Sequence, residues 1–229
     1  MLLRNKIHFI ILFVSFILSL YAIFFYAPIE VNQGIVQKIF YFHAPSAWVS
    51  FLSFFIVFLS SILYIIKRDK KWDRIAYSSA EIGIIFCTLV LITGSLWGKA
   101  IWGAWWTWDS RLTSTLILWL IYMVYMMIRY YGDWSEKIAR FCAILGIIGF
   151  LDIPIIHMSV LWWRTLHPNP VVLRREGIGS GLPYSMLIVL IGSFISFTIL
   201  YLYILLERIK IEQLKDNIEI MKGEIEENW

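Results

Sequence analysis

Residues Trp97–Ser114 read WGKAIWGAWWTWDSRLTS, and five of the chain's twelve tryptophans fall within the first twelve positions of this stretch. They are Trp97, Trp102, Trp105, Trp106 and Trp108, followed directly by Asp109 and Arg111. Written on a helix, Trp102, Trp105, Trp106 and Asp109 stand at i, i+3, i+4 and i+7, which makes one face almost entirely indole. Tryptophan is enriched wherever a bilayer meets water, but such a belt spreads its rings over all the helix ends. Here the rings are gathered in one segment. Each indole can bury about 150–250 Å² and gains roughly 0.5–1.5 kcal/mol when it stacks on another π-system, so the group suits a large, flat, mostly apolar ligand. Sugars also stack on indoles but need many fixed polar partners, and this stretch offers mainly Lys99, Asp109, Arg111 and a few hydroxyls.

The segment is flanked by apolar runs. The 229 residues are 60% hydrophobic and 16% charged, with a mean hydropathy of +0.73, against roughly 45–50% apolar and about 25% charged in soluble domains. A soluble monomer is excluded. Crossing a ~30 Å hydrocarbon core takes about 20 residues, and runs of that size lie near 8–26, 45–66, 75–97, 113–131, 138–161 and 184–206. The first follows Arg4 and Lys6 but is longer than the apolar core of a signal peptide and precedes no small-x-small site, so it reads as a retained span. The fold class expected is all-α: an integral membrane bundle of six transmembrane helices with a Trp-rich interfacial helical loop on the outer face. Fourteen of the twenty basic residues lie in the N-terminus, the 67–74 loop, the 129–140 segment and the tail. By the positive-inside rule both termini are cytoplasmic, and the net charge of +4 reports orientation rather than a nucleic-acid partner. A membrane domain, 1–206, then presents outer segments 27–44, 98–112 and 162–183. In the cytoplasmic tail, 207–229, Ile211, Leu214, Ile218, Met221 and Ile225 recur at spacings of three and four. That is an amphipathic helix, either a solvated extension or a coiled-coil partner site.

His43, in YFHAPSAW, and His167, in WWRTLHPNP, bracket the tryptophan segment, one in the outer loop on each side. Imidazole is a standard axial ligand of haem iron, and Pro45, Pro168 and Pro170 stiffen the backbone around both. Arg111, Arg164, Arg174 and Arg175 lie on the same side against the charge trend. Guanidinium forks match carboxylates such as the two haem propionates; anionic lipid head groups are the alternative partner. His8 reads as structural. His157 is a helix-end histidine satisfied by a hydroxyl, an outer supporting group or an alternative ligand. Glu81 and Asp152 sit inside spans, where an unpaired charge costs at least ~2.5–3.5 kcal/mol near the bilayer centre, so they face the bundle or a partner. Cys87 and Cys142 stand alone, with no CxxC and no CxxCH, which excludes a thiol-disulfide enzyme and a c-type cytochrome.

WGKAIWGAWWTWDSRLTS closely resembles the WWD signature of the haem-handling proteins of cytochrome c maturation. The six-span size, YFHAPSAW before it and PIIHMSVLWWRTLH after it resemble the CcmC branch, the haem exporter protein C family, over nearly the whole chain. The resemblance implies a non-enzymatic protein of the bacterial cytoplasmic (inner) membrane. Such a protein binds non-covalent haem b on the outer face and delivers it, with an ABC transporter, to a membrane-anchored haem chaperone. His43 and His167 match the axial, metal-ligating histidines, and Trp97, Trp102, Trp105, Trp106, Trp108, Asp109 and Arg111 match the signature. Against the family pattern, the acid at Glu81 and the length of the charged tail stand out. The rival class, a membrane b-type cytochrome-like electron-transfer protein, would place paired histidines on facing helices within the bilayer, where the spans supply only His157. A small-solute permease would leave the tryptophans without a role.

Overall fold

In hydrocarbon every backbone N–H and C=O needs an internal partner, so an apolar chain of this kind resolves into helices. The computed structural model describes residues 2–132, 135–163, 165–167, 173–174, 177–178 and 181–227. Its order is α1 (Leu2–Tyr21), a π-helical turn (Ala22–Tyr26), a 3-10 turn (Ile35–Ile39), α2 (Phe40–Lys67), α3 (Lys70–Trp102) and α4 (Ser110–Tyr131). Then come α5 (Glu136–Phe150), α6 (Asp152–Trp162), a two-residue antiparallel ladder of β1 (Leu173–Arg174) on β2 (Gly177–Ile178), and α7 (Tyr184–Glu227). Six stretches are long and apolar enough to cross a membrane: Lys6–Tyr26, Ile35–Lys67, Lys70–Trp102, Ser110–Tyr131, Glu136–Trp162 and Tyr184–Glu226. Each contains the run expected from the sequence. The chain is an all-α multi-pass membrane protein.

Caps set the helix ends. Asp69 accepts from Lys71 N, Asp109 from Arg111 N and Leu112 N, and Ser135 from Ile138 N, each satisfying donors that the first turn leaves free. Gly103, at φ 75°, closes α3 in the left-handed conformation that glycine adopts without strain. Two earlier expectations change here. The helix stops at Trp102, so the helical register over Trp102–Asp109 does not hold, and residues 103–109 form an irregular loop. His43, expected in a loop, lies in α2, because the chain becomes helical from Ile35 onward. The fifth span breaks at Leu151, since Pro154 removes one donor and its ring crowds the carbonyl of Phe150. α6 packs against α4, where Ser110 Oγ reaches the Ser159 carbonyl at 3.4 Å.

Lipid offers helices no hydrophobic drive to associate, so small residues and hydrogen bonds carry the packing. Ser50, Ser53, Ser60 and Ser61 of α2 and Ser78 and Ser79 of α3 are buried. Ser79 donates to the Ser53 carbonyl at 2.8 Å and pairs with the Tyr201 hydroxyl of α7 at 2.8 Å. α1 joins the bundle through α7: Ser19 and Ser196 are hydrogen-bonded at 2.8 Å, and Ser196 donates to the Ser15 carbonyl at 3.0 Å. At the core Phe54 stacks flat on Tyr122 with centroids 3.7 Å apart, and Tyr122 donates to the Gly146 carbonyl at 2.9 Å.

At the end opposite the tryptophans, ion pairs tie the helices. Arg129 holds Asp73 with a two-pronged pair at 3.0 and 2.7 Å, Arg74 meets Asp216 at 3.0 Å, and Arg208 donates from Nε to Glu81 at 2.7 Å. Glu81 thus finds its partner on α7, the helix that continues into the charged tail. Ile211, Leu214, Ile218, Met221 and Ile225 are all exposed.

The α2–α3 contact leaves no room at Gly83, where a Cβ would lie 2.6 Å from the Phe54 ring. With Phe54 pinned against Tyr122, Gly83→Ala is expected to destabilise the bundle by about 1–3 kcal/mol through overpacking. Thermal unfolding in detergent measures it, and an unchanged midpoint contradicts the packing described.

Candidate functional site

The last turns of α3, the 103–109 loop, the start of α4 and the chain around His167 converge at one end of the bundle. His43, His167, Trp106 and Arg111 line one partly open cavity of about 50 Å³, whose inner wall includes Ser50 and Cys87. The two histidines are 124 positions apart in the sequence and come from different elements. The cavity unites them.

Each imidazole is held through Nδ1. His43 Nδ1 lies 2.9 Å from the Thr93 hydroxyl of α3. Gly94 beside it leaves space for the ring, since a Cβ there would sit 3.2 Å from His43 Cε1. Trp97 packs edge-on against the same ring at 5.8 Å and is itself anchored by donating from Nε1 to Gln33 at 3.0 Å. His167 Nδ1 faces Asp109 Oδ2 across a long 3.4 Å contact, and Trp102 packs edge-on at 5.1 Å. Burial and the positive field of Arg111 push the His167 pKa below its ordinary 6.5, with Asp109 pulling the other way. The downward shift favours the uncharged ring at pH 7.

Asp109 has a second task. Its Oδ1 accepts from Arg111 N and Leu112 N, both at 3.0 Å, so one carboxylate starts α4 and faces His167. Arg111 carries its charge to the cavity wall, and no ion pair meets its guanidinium among the described residues. The Trp106 N–H and the Thr107 and Thr113 hydroxyls are buried without hydrogen-bond partners among the described residues.

The five indoles do not form one sheet. Trp97 serves the His43 side and Trp102 the His167 side, while Trp106 lines the cavity with Trp108 edge-on to it at 5.7 Å. Trp105 and Trp108 turn outward, 57% and 77% exposed. Lys99 donates to the Gly103 carbonyl at 2.9 Å and rides over the Trp105 ring at 6.0 Å. His157 is half-buried on α6 and has no side-chain hydrogen bond among the described residues, and His8 is exposed near the start of α1. Arg164, Pro168, Asn169, Pro170, Arg175 and the side chain of Arg174 lie outside the described residues. Thr93 and Gly94 were not singled out from the sequence. Their signal was a hydroxyl and a glycine side by side, one turn before Trp97, in an otherwise apolar run.

Fold and site together define a polytopic membrane protein with a two-imidazole, indole-lined site at one end of its bundle. A family model described as Heme exporter protein C matches residues 3–223, and the chain belongs to this family, CcmC. It is 38% identical over 196 residues to Heme exporter protein C of Bradyrhizobium diazoefficiens, covering 86% of this chain and 74% of that one. It is 36% identical to a ccmC-like mitochondrial protein of cytochrome c biosynthesis from Marchantia polymorpha, covering 79% and 75%. Heme exporter protein C of Haemophilus influenzae is 34% identical, with 84% and 77% covered.

The double duty of Asp109 separates by substitution. Asp109→Ala removes the cap and is expected to cost about 1 kcal/mol, whereas Asp109→Asn keeps it and costs at most a few tenths. Equal thermal unfolding midpoints for the two variants in detergent would rule out the capping role.

Proposed function

We propose that this chain binds haem b non-covalently between His43 and His167 on the outer face of the cytoplasmic membrane, as part of haem export for cytochrome c maturation. In this reading it delivers the haem, with ABC transporter subunits, to a membrane-anchored haem chaperone. It is a binding and delivery protein and not an enzyme. One observation carries the reading: two imidazoles from separate elements line a single cavity, each held at Nδ1, together with an arginine and a half-buried indole.

The donor set supports haem over a bare ion. Structural zinc sites gather four protein ligands, and among the described residues no group of three or more His, Cys, Asp or Glu side chains stands ready to hold a metal. Two imidazoles would suit haem iron, which brings nitrogen ligands of its own. Arg111 supplies the charge for a propionate, and the buried Trp106 N–H offers a further donor in the cavity lining. The names of the relatives point the same way.

The dimensions bear on delivery. A cavity of about 50 Å³ is far below the roughly 300–1,000 Å³ of sites that enclose a ligand of drug size. A porphyrin held by these residues would extend beyond the cavity. Trp102 and Trp106 act as binding rings. Trp105 and Trp108, with most of their surface free, act as the docking face for the chaperone, since tryptophan is enriched at interface hot spots.

Purified protein is expected to carry haem whose absorption spectrum reports two nitrogen ligands, and His43→Ala combined with His167→Ala is expected to abolish it. Unchanged haem content and spectrum in the double variant would refute ligation by this pair and move attention to His157.

Orientation is tested separately. A cysteine introduced at Lys99 should react with an impermeant thiol reagent added to intact cells, following the distribution of basic residues. Labelling only after permeabilisation would put the site in the other compartment.

A further inference from the structure

We infer that Thr93 is the residue that positions His43, fixing which of its ring nitrogens is free to ligate. The inference rests on the reading of His43 as a haem ligand and extends it to a helix that supplies no ligand itself. A threonine hydroxyl has one proton and two lone pairs. The Thr93 hydroxyl donates to the Leu89 carbonyl at 2.6 Å, with the Val90 carbonyl a further 3.4 Å acceptor. Its proton is thus committed to the α3 backbone, and the face toward His43 Nδ1, 2.9 Å away, holds lone pairs. Nδ1 must therefore be the protonated nitrogen. Nε2 keeps its lone pair, and no hydrogen bond engages it among the described residues.

The surroundings hold the ring in that state. Thr93 and Trp97 are four apart on one face of α3 and bound the imidazole on two sides, and Gly94 between them gives the clearance. A ligating histidine almost always passes its second nitrogen to such a partner, and losing the partner typically weakens metal binding 10- to 100-fold. The two ligands are held differently. His167 faces a carboxylate from a loop position, whereas His43 is fixed between two packed helices by a neutral hydroxyl whose own proton is occupied. Thr93 makes His43 the ligand prepared before haem arrives.

The experiment uses the full-length protein in detergent, with added haemin as the probe. Nitrogen-15 NMR of histidine-labelled, haem-free protein is expected to show His43 as the Nδ1–H tautomer, and finding it as Nε2–H in the wild type overturns the inference without any variant. In haemin titrations Thr93→Val is expected to bind about tenfold more weakly, with part of the spectrum shifted to a single-imidazole form. The haem-free variant should still unfold cooperatively, and Thr93→Ser, which keeps the hydroxyl, should restore wild-type binding. Wild-type binding and tautomer in Thr93→Val, beside a His43→Ala variant that loses the two-nitrogen spectrum, would sink the role of Thr93 and leave the ligand reading standing. A His43→Ala variant with unchanged spectrum would overturn the ligand reading and the inference with it.

Discussion

The close approach of α2 to α3 is the contact on which the rest depends. Lipid does not reward burial of apolar surface between helices, so these two adhere because serines and Gly83 let their backbones come near enough for direct hydrogen bonds. The same approach, carried toward the tryptophan end, lays the His43 ring on α3 at Thr93 and Gly94. A site that must hold a ring within a few tenths of an ångström gains from being built on packed helices. The packing that makes the bundle also makes half of the site.

The other half is built where the helix is interrupted. Gly103 ends α3 and Asp109 begins α4, and the seven residues from Gly103 to Asp109 carry Trp105, Trp106 and Trp108 out of any common helical face. One carboxylate closes this loop, capping α4 with one oxygen and facing His167 with the other. Loop conformation and imidazole orientation are therefore coupled through the segment that carries the exposed Trp105 and Trp108.

The opposite end of the bundle follows different physics. Charged groups replace serines as the ties, and Arg208 links Glu81 to Glu212, so that α7 is clamped to α3. Arg129 is buried against Asp73. Removing one partner of such a pair leaves a desolvated charge, which costs far more than the pair contributes by existing. The acid in the third span and the long charged tail stand out separately in the sequence, and in the fold they hold one another.

The sequence by itself determined the number and approximate places of the spans and the gathering of indoles. These are local properties: hydrocarbon thickness sets a length, and composition over that length meets it or does not. The end of α3 could have been read from Gly103, since a glycine near a helical C-terminus is a local signal as well; the helical register for Trp105–Asp109 set it aside. Only the tertiary structure decided that the indoles divide between two imidazoles, that the cap Asp109 faces one ring, and that Thr93 and Gly94 lie against the other. Those facts depend on pairs 50 and 58 residues apart, and a hydroxyl in an apolar run carries no mark of which ring will come to rest on it until the helices pack.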